Sequence, residues 1–66
     1  MRISLNGEKT DADRAKTIAE LIDRLGLPAE TILIEHNGFA LHRHEWANRK
    51  LAEGDQIELV RVVAGG

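Results

Sequence analysis

A chain of 66 residues makes one domain near the lower limit of what can bury a core without metal or cross-links. It contains no cysteine, which excludes disulfides, thiolate metal sites and a thiol nucleophile of its own. Its 9 basic and 11 acidic residues are interspersed without a like-charge block, which argues against nucleic acid or an anionic membrane as the main partner.

Met1, Ile3 and Leu5 alternate with Arg2, Ser4 and Asn6, the period of two of a strand with one buried face. Asn6-Gly7 supplies the two positive-φ residues of a tight hairpin, so Glu8 to Ala15 is expected to begin as a short second strand and continue as a loop. Thr17-Ile18-Ala19-Glu20 matches a capping box, and Ile18, Leu21, Ile22 and Leu25 follow at helical spacing. Gly26 and Pro28 are placed to end that helix.

Ile32-Leu33-Ile34 is a compact apolar run and predicts a central strand covered on both faces. Asn37-Gly38 signals a second hairpin returning through Phe39 to Leu41. The charged stretch from His42 to Lys50 holds the single Trp46, expected as a partly buried anchor over one end of the core. After a turn at Glu53-Gly54-Asp55, Gln56 to Val63 predicts the final strand. With Ile57 and Leu59 facing inward, alternation puts Val60 and Val62 on the outer face, as an apolar patch for partner contact.

Residues 1–63 thus form the expected folded body, and residues 64–66 a flexible Ala-Gly-Gly tail. Glycine lacks a Cβ, so Gly65 and Gly66 leave a terminal carboxylate uncrowded, and three extended residues reach roughly 10 Å, enough to thread a narrow cleft. Elsewhere the chain is poor in chemistry. His36, His42 and His44 lack the companions of a metal site and are expected on the surface or in turns. Ser4, the one serine, lies in a strand, and no serine or cysteine nucleophile is matched to a base. Glu8, Asp11, Asp13, Glu20 and Asp23 read as solvated carboxylates, so the chain is expected not to be a catalyst by itself. No apolar run is long enough to span a bilayer and no export signal opens the chain, so a cytoplasmic location is expected.

The whole length resembles the thiamine-biosynthesis sulfur carriers, the ThiS family of the β-grasp, ubiquitin-like superfamily. The likeness is carried by the opening hairpin, the Thr17-Ile18-Ala19-Glu20-Leu21-Ile22 segment, Arg43-His44-Glu45-Trp46, and Glu53-Gly54-Asp55-Gln56-Ile57 leading into Val63-Ala64-Gly65-Gly66. The proline common in that family before Arg-x-x-Trp is His42 here. The resemblance implies an α+β fold with a mixed sheet of four to five strands packed on one main helix. It implies further that an E1-like adenylyltransferase of ThiF type adenylates Gly66, with Ala64 and Gly65 threading that enzyme's active site. A sulfur donor such as a cysteine desulfurase then supplies the sulfur of a thiocarboxylate, and a thiazole synthase of ThiG type uses it, with no cofactor on the carrier. Three alternatives stay open beside this one: the small subunit of molybdopterin synthase, a ubiquitin-like modifier joined to lysines through Gly66, and a binding module whose tail is idle.

Overall fold

The computed structural model describes residues 1–62, so the expectations for Val63, Ala64, Gly65 and Gly66 lie outside the described residues. Strand β1 (Arg2–Leu5) turns at Asn6-Gly7 into β2 (Glu8–Asp11), with which it pairs antiparallel. Both turn residues have positive φ, 50° and 84°, the condition for a two-residue turn whose twist matches the strands it joins. Helix α1 (Ile18–Leu25) follows, then a 3-10 turn (Ala29–Thr31), β3 (Ile32–His36), β4 (Phe39–Leu41), a second 3-10 turn (Arg43–Asn48) and β5 (Gln56–Arg61).

The capping box of α1 forms only in part. Thr17 Oγ1 accepts from the Glu20 amide at 3.2 Å, but the Glu20 carboxylate accepts from the amide of Lys16, one residue upstream of the expected donor, at 2.9 Å. The amides of Gly26 and Leu27 donate back to the carbonyls of Asp23 and Ile22, closing the other end with a Schellman pair. Ile18, Leu21 and Ile22 are buried, as the helical spacing predicts, whereas Leu25, the last position of that stripe, departs from it and stays exposed.

The sheet order is β2-β1-β5-β3-β4. The last strand therefore lies in the middle, parallel to β1 and antiparallel to β3. This places Ile57 beside β1 on one flank and opposite His36 on the other, at the centre of the face that packs on α1. Ile3, Ile32, Ile34 and Ile57 from the sheet and Ile18, Leu21 and Ile22 from the helix form the core, joined by Trp46 and Leu51. Residues 49–51 are stitched to the approach to α1 by two bonds: the Ile18 amide donates to the Arg49 carbonyl and the Leu51 amide to the Lys16 carbonyl, each at 2.9 Å.

Three expectations need correction. First, β3 is covered on one face only: its residues alternate buried and exposed, and Leu33 remains 60% exposed. One helix covers one face of a five-stranded sheet, and no described element lies across the other. Second, Trp46 is not partly buried but nearly enclosed, and its indole N–H has no acceptor among the described residues. Third, among the described residues β5 stops at Arg61 and leaves Val62 outside the strand, although the Val62 amide still donates to the Thr31 carbonyl at 2.6 Å.

Candidate functional site

The expected site has two parts, the tail and the root from which it leaves, and the root is described. Two asparagines anchor β5 from the hairpins on either side of it. Asn6 Oδ1 accepts from the Leu59 amide at 2.7 Å, and Asn37 Oδ1 accepts from the Gln56 amide at 2.8 Å. The backbone adds bonds from Asn6 to the Ile57 carbonyl and from Asn37 to the Gln56 carbonyl. The Asn-Gly turns thus do more than reverse the chain: their side chains fix the position of the strand between them.

A polar cluster holds the start of β5. Asp55 and His36 are both buried, with His36 Nε2 2.7 Å from Asp55 Oδ2. Arg49 Nε, which can only donate, lies 2.9 Å from His36 Nδ1. Nδ1 is therefore the acceptor, and Nε2 carries the proton donated to Asp55. The same carboxylate accepts from the Ala52 amide at 2.8 Å and from Asn37 Nδ2 at 3.1 Å. Burial pushes the Asp55 carboxyl up, but the hydrogen bonds from His36, Asn37 and Ala52 outweigh it and hold the group below its ordinary value. The expectation that all three histidines sit on the surface or in turns fails for His36, which alternates with Ile32 and Ile34 on the buried face of β3.

His42 and His44 are exposed, as expected, with rings stacked 5.6 Å apart and 7° from parallel. They flank the start of the second 3-10 turn, where the Glu45 carboxylate accepts from the His42 amide at 2.7 Å. Among the described residues no three His, Cys, Asp or Glu side chains come together in a metal-holding group. Nor is any described helix long and apolar enough to cross a membrane.

Val60 and Val62 are 58% and 49% exposed, Val60 on the sheet face turned away from α1 and Val62 just past the end of β5. Leu33 is directly opposite Val60, and Ala40 continues the apolar surface on β4. Glu35 and Glu58, also paired across β3 and β5, complete a shallow depression with Leu33, Ala40 and Val60. Leu33, Glu35 and Glu58 escaped the sequence reading. Glu35 was the available signal, because an acid in a strand marks an open face.

Known proteins share this arrangement. The crystal structure of the thiamine biosynthesis protein (ThiS) from Geobacter metallireducens superposes with a TM-score of 0.83 at 29% identity, over 100% of both chains. The five-stranded mixed sheet with one main helix is thus the β-grasp fold of that protein. The sulfur carrier protein ThiS of Escherichia coli strain K12 is 30% identical over 66 residues, 100% of each chain. A thiazole synthase of Magnetococcus marinus is 36% identical over all 66 residues, and one of Paramagnetospirillum magneticum 26%. The chain spans only 20% of the length of either synthase. The ThiS family model matches residues 3–66, and on that match, with a relative aligned end to end, the chain belongs to the ThiS family.

Proposed function

We propose that this chain is a sulfur carrier for thiazole formation in thiamine biosynthesis, acting as a protein co-substrate and not as a catalyst. The observation that carries the reading is the end-to-end alignment with the sulfur carrier protein ThiS of Escherichia coli, which sets Gly66 level with that chain's last residue. The thiazole synthases among the relatives support such a synthase as the enzyme that uses the sulfur.

The chemistry follows from the poor reactivity of a carboxylate, whose leaving group in acyl transfer is oxide. An E1-like adenylyltransferase of ThiF type joins the Gly66 carboxylate to the AMP moiety of ATP and releases pyrophosphate, so that AMP becomes the leaving group. A persulfide, supplied by a donor such as a cysteine desulfurase, attacks the acyl carbon and displaces AMP. Thiol cleavage of the resulting acyl disulfide leaves a thiocarboxylate on Gly66. Ala64 and Gly65 give the tail its narrow cross-section in the partner's cleft, and Val60 and Val62 offer the folded body's contact beside it. Residues 1–63 act as the handle and residues 64–66 as the reactive arm, in the cytoplasm, where ATP and the synthase's substrates are found.

The family match favours this role over that of the molybdopterin synthase subunit or the protein modifier. The test is intact mass after coexpression with the adenylyltransferase: one oxygen replaced by sulfur at Gly66 is expected. A variant lacking Gly65 and Gly66 that still restores thiazole synthesis in a cell without the native carrier would overturn it.

A further inference from the structure

Glu35 of β3 and Glu58 of β5 stand directly opposite each other in an antiparallel register, both exposed on the face away from α1. In such pairs the Cβ atoms are about 4.5–5.5 Å apart, and like charges there destabilise the sheet. Neither carboxylate takes part in an ion pair among the described residues, and no cation lines the depression they share with Leu33, Ala40 and Val60. Several other acids of the chain are compensated, while the exposed Glu8, Asp13, Asp23 and Glu30 do not face a second acid across a strand pair. Glu20 pairs with Arg24, Asp55 binds His36, Glu53 accepts from the Arg2 amide and Glu45 from the His42 amide. The folded chain thus keeps two facing acids, without a counter-charge among the described residues, beside the exposed Leu33 and Val60.

We propose that Glu35 and Glu58 together receive an arginine side chain of the thiazole synthase, with Leu33 and Val60 as the apolar rim of the contact. This rests on the sulfur-carrier reading. Two carboxylates side by side match the planar, multiply donating fork of a guanidinium better than the point charge of an ammonium. Guanidinium is also the more weakly hydrated cation, so it enters an apolar surround at lower cost. A second copy of this chain is the wrong occupant, because a two-fold contact through this patch sets four carboxylates together. The synthase is the occupant chosen because two relatives are thiazole synthases of which this domain matches a fifth, so that domain and synthase lie in one polypeptide there.

The experiment compares the wild type with Glu35→Gln, Glu58→Gln and the double variant, first by thermal melting of the free chain and then by titration with the purified thiazole synthase of the same organism. Each single variant is expected to melt about 1–4 °C higher than the wild type, since a repulsion is removed. Each is also expected to bind the synthase at least about tenfold more weakly, with a shallower salt dependence. A merely structural pair would not make the fold more stable and the complex weaker at once. Unchanged or lowered melting, unchanged synthase binding, or a loss seen only with the adenylyltransferase overturns the proposal. A wild-type chain that self-associates through this face does so as well. Absence of a thiocarboxylate on the wild type, read by mass, sinks the carrier reading separately, while melting and titration still judge the acid pair.

Discussion

Replacing Asp55 by alanine removes the acceptor for three donors at once: His36 Nε2, the Ala52 amide and Asn37 Nδ2. The three losses are unequal. Asn37 and Ala52 are exposed residues whose donors can turn to water, whereas His36 is only 5% exposed and its Nε2 loses its partner inside the fold. A hydrogen bond to a charged group contributes about 1.5–3 kcal/mol, and a stranded buried donor costs about 1–3 kcal/mol. The expected loss is therefore roughly 2–4 kcal/mol, dominated by His36. A domain of this size has on the order of 3–10 kcal/mol in total, so the variant is expected to be partly unfolded at growth temperature.

The dependence on pH has a definite sign. The carboxyl is held below its ordinary value in the folded state, so its contribution is fully present above the unfolded-state value and is lost as pH falls through the folded one. The gap between wild type and Asp55→Ala should then be widest near neutrality and shrink below about pH 4. Urea titrations at pH 7 and pH 3, followed by the fluorescence of the single, buried Trp46, measure both. A cost under about 0.5 kcal/mol at pH 7, or an equal cost at both pH values, refutes the assignment of His36 and Asp55 as the clamp on β5.

Three further outcomes are expected. Ile57→Ala, at a position 1% exposed in the middle of the sheet, should cost roughly 2–4 kcal/mol by urea titration with an unchanged slope. Gly38→Ala meets no atom within 4 Å but must hold φ near +87°, so a loss of about 1–2 kcal/mol in thermal melting is expected from backbone strain alone. Val60→Ser with Val62→Ser should change stability by less than about 1 kcal/mol and still slow ATP-pyrophosphate exchange with the adenylyltransferase; normal exchange would remove the patch from the contact.

The features that sequence made visible are those whose cause is local. Asn6-Gly7 and Asn37-Gly38 could be read because two successive positive-φ positions admit few residues, and both turns form. The helix was legible from Thr17 to Gly26 because its cap, stripe and stop agree, even though the glutamate's bond shifted to Lys16. The exposure of Leu33 was not legible from its neighbours, since Ile-Leu-Ile suits a doubly covered strand equally well. Only the count of helices decides it: one helix cannot cover two faces. The His36–Asp55 contact joins residues 19 apart and exists only once β3 and β5 are in register, which no local pattern encodes. The role of the tail rests on the resemblance and on the aligned relatives, since Gly-Gly by itself suits a frayed end just as well.

The position of β5 explains how an open apolar face can coexist with a fixed tail root. A central strand bonded on both flanks cannot slip by one residue without turning Ile57 and Leu59 outward and Glu58 and Val60 into the core, so the point at which the tail departs is fixed by burial. The strands carrying the exposed Leu33 and Val60 are also interior to the sheet, and their backbone groups are already paired. The edges fall to β2, where Glu8, Lys9 and Asp11 are charged, and to β4, which is three residues long. Short or charged edges discourage strand addition by another chain. The face can therefore remain apolar for side-chain contact with a partner, while the edges resist the backbone pairing that would lead to aggregation.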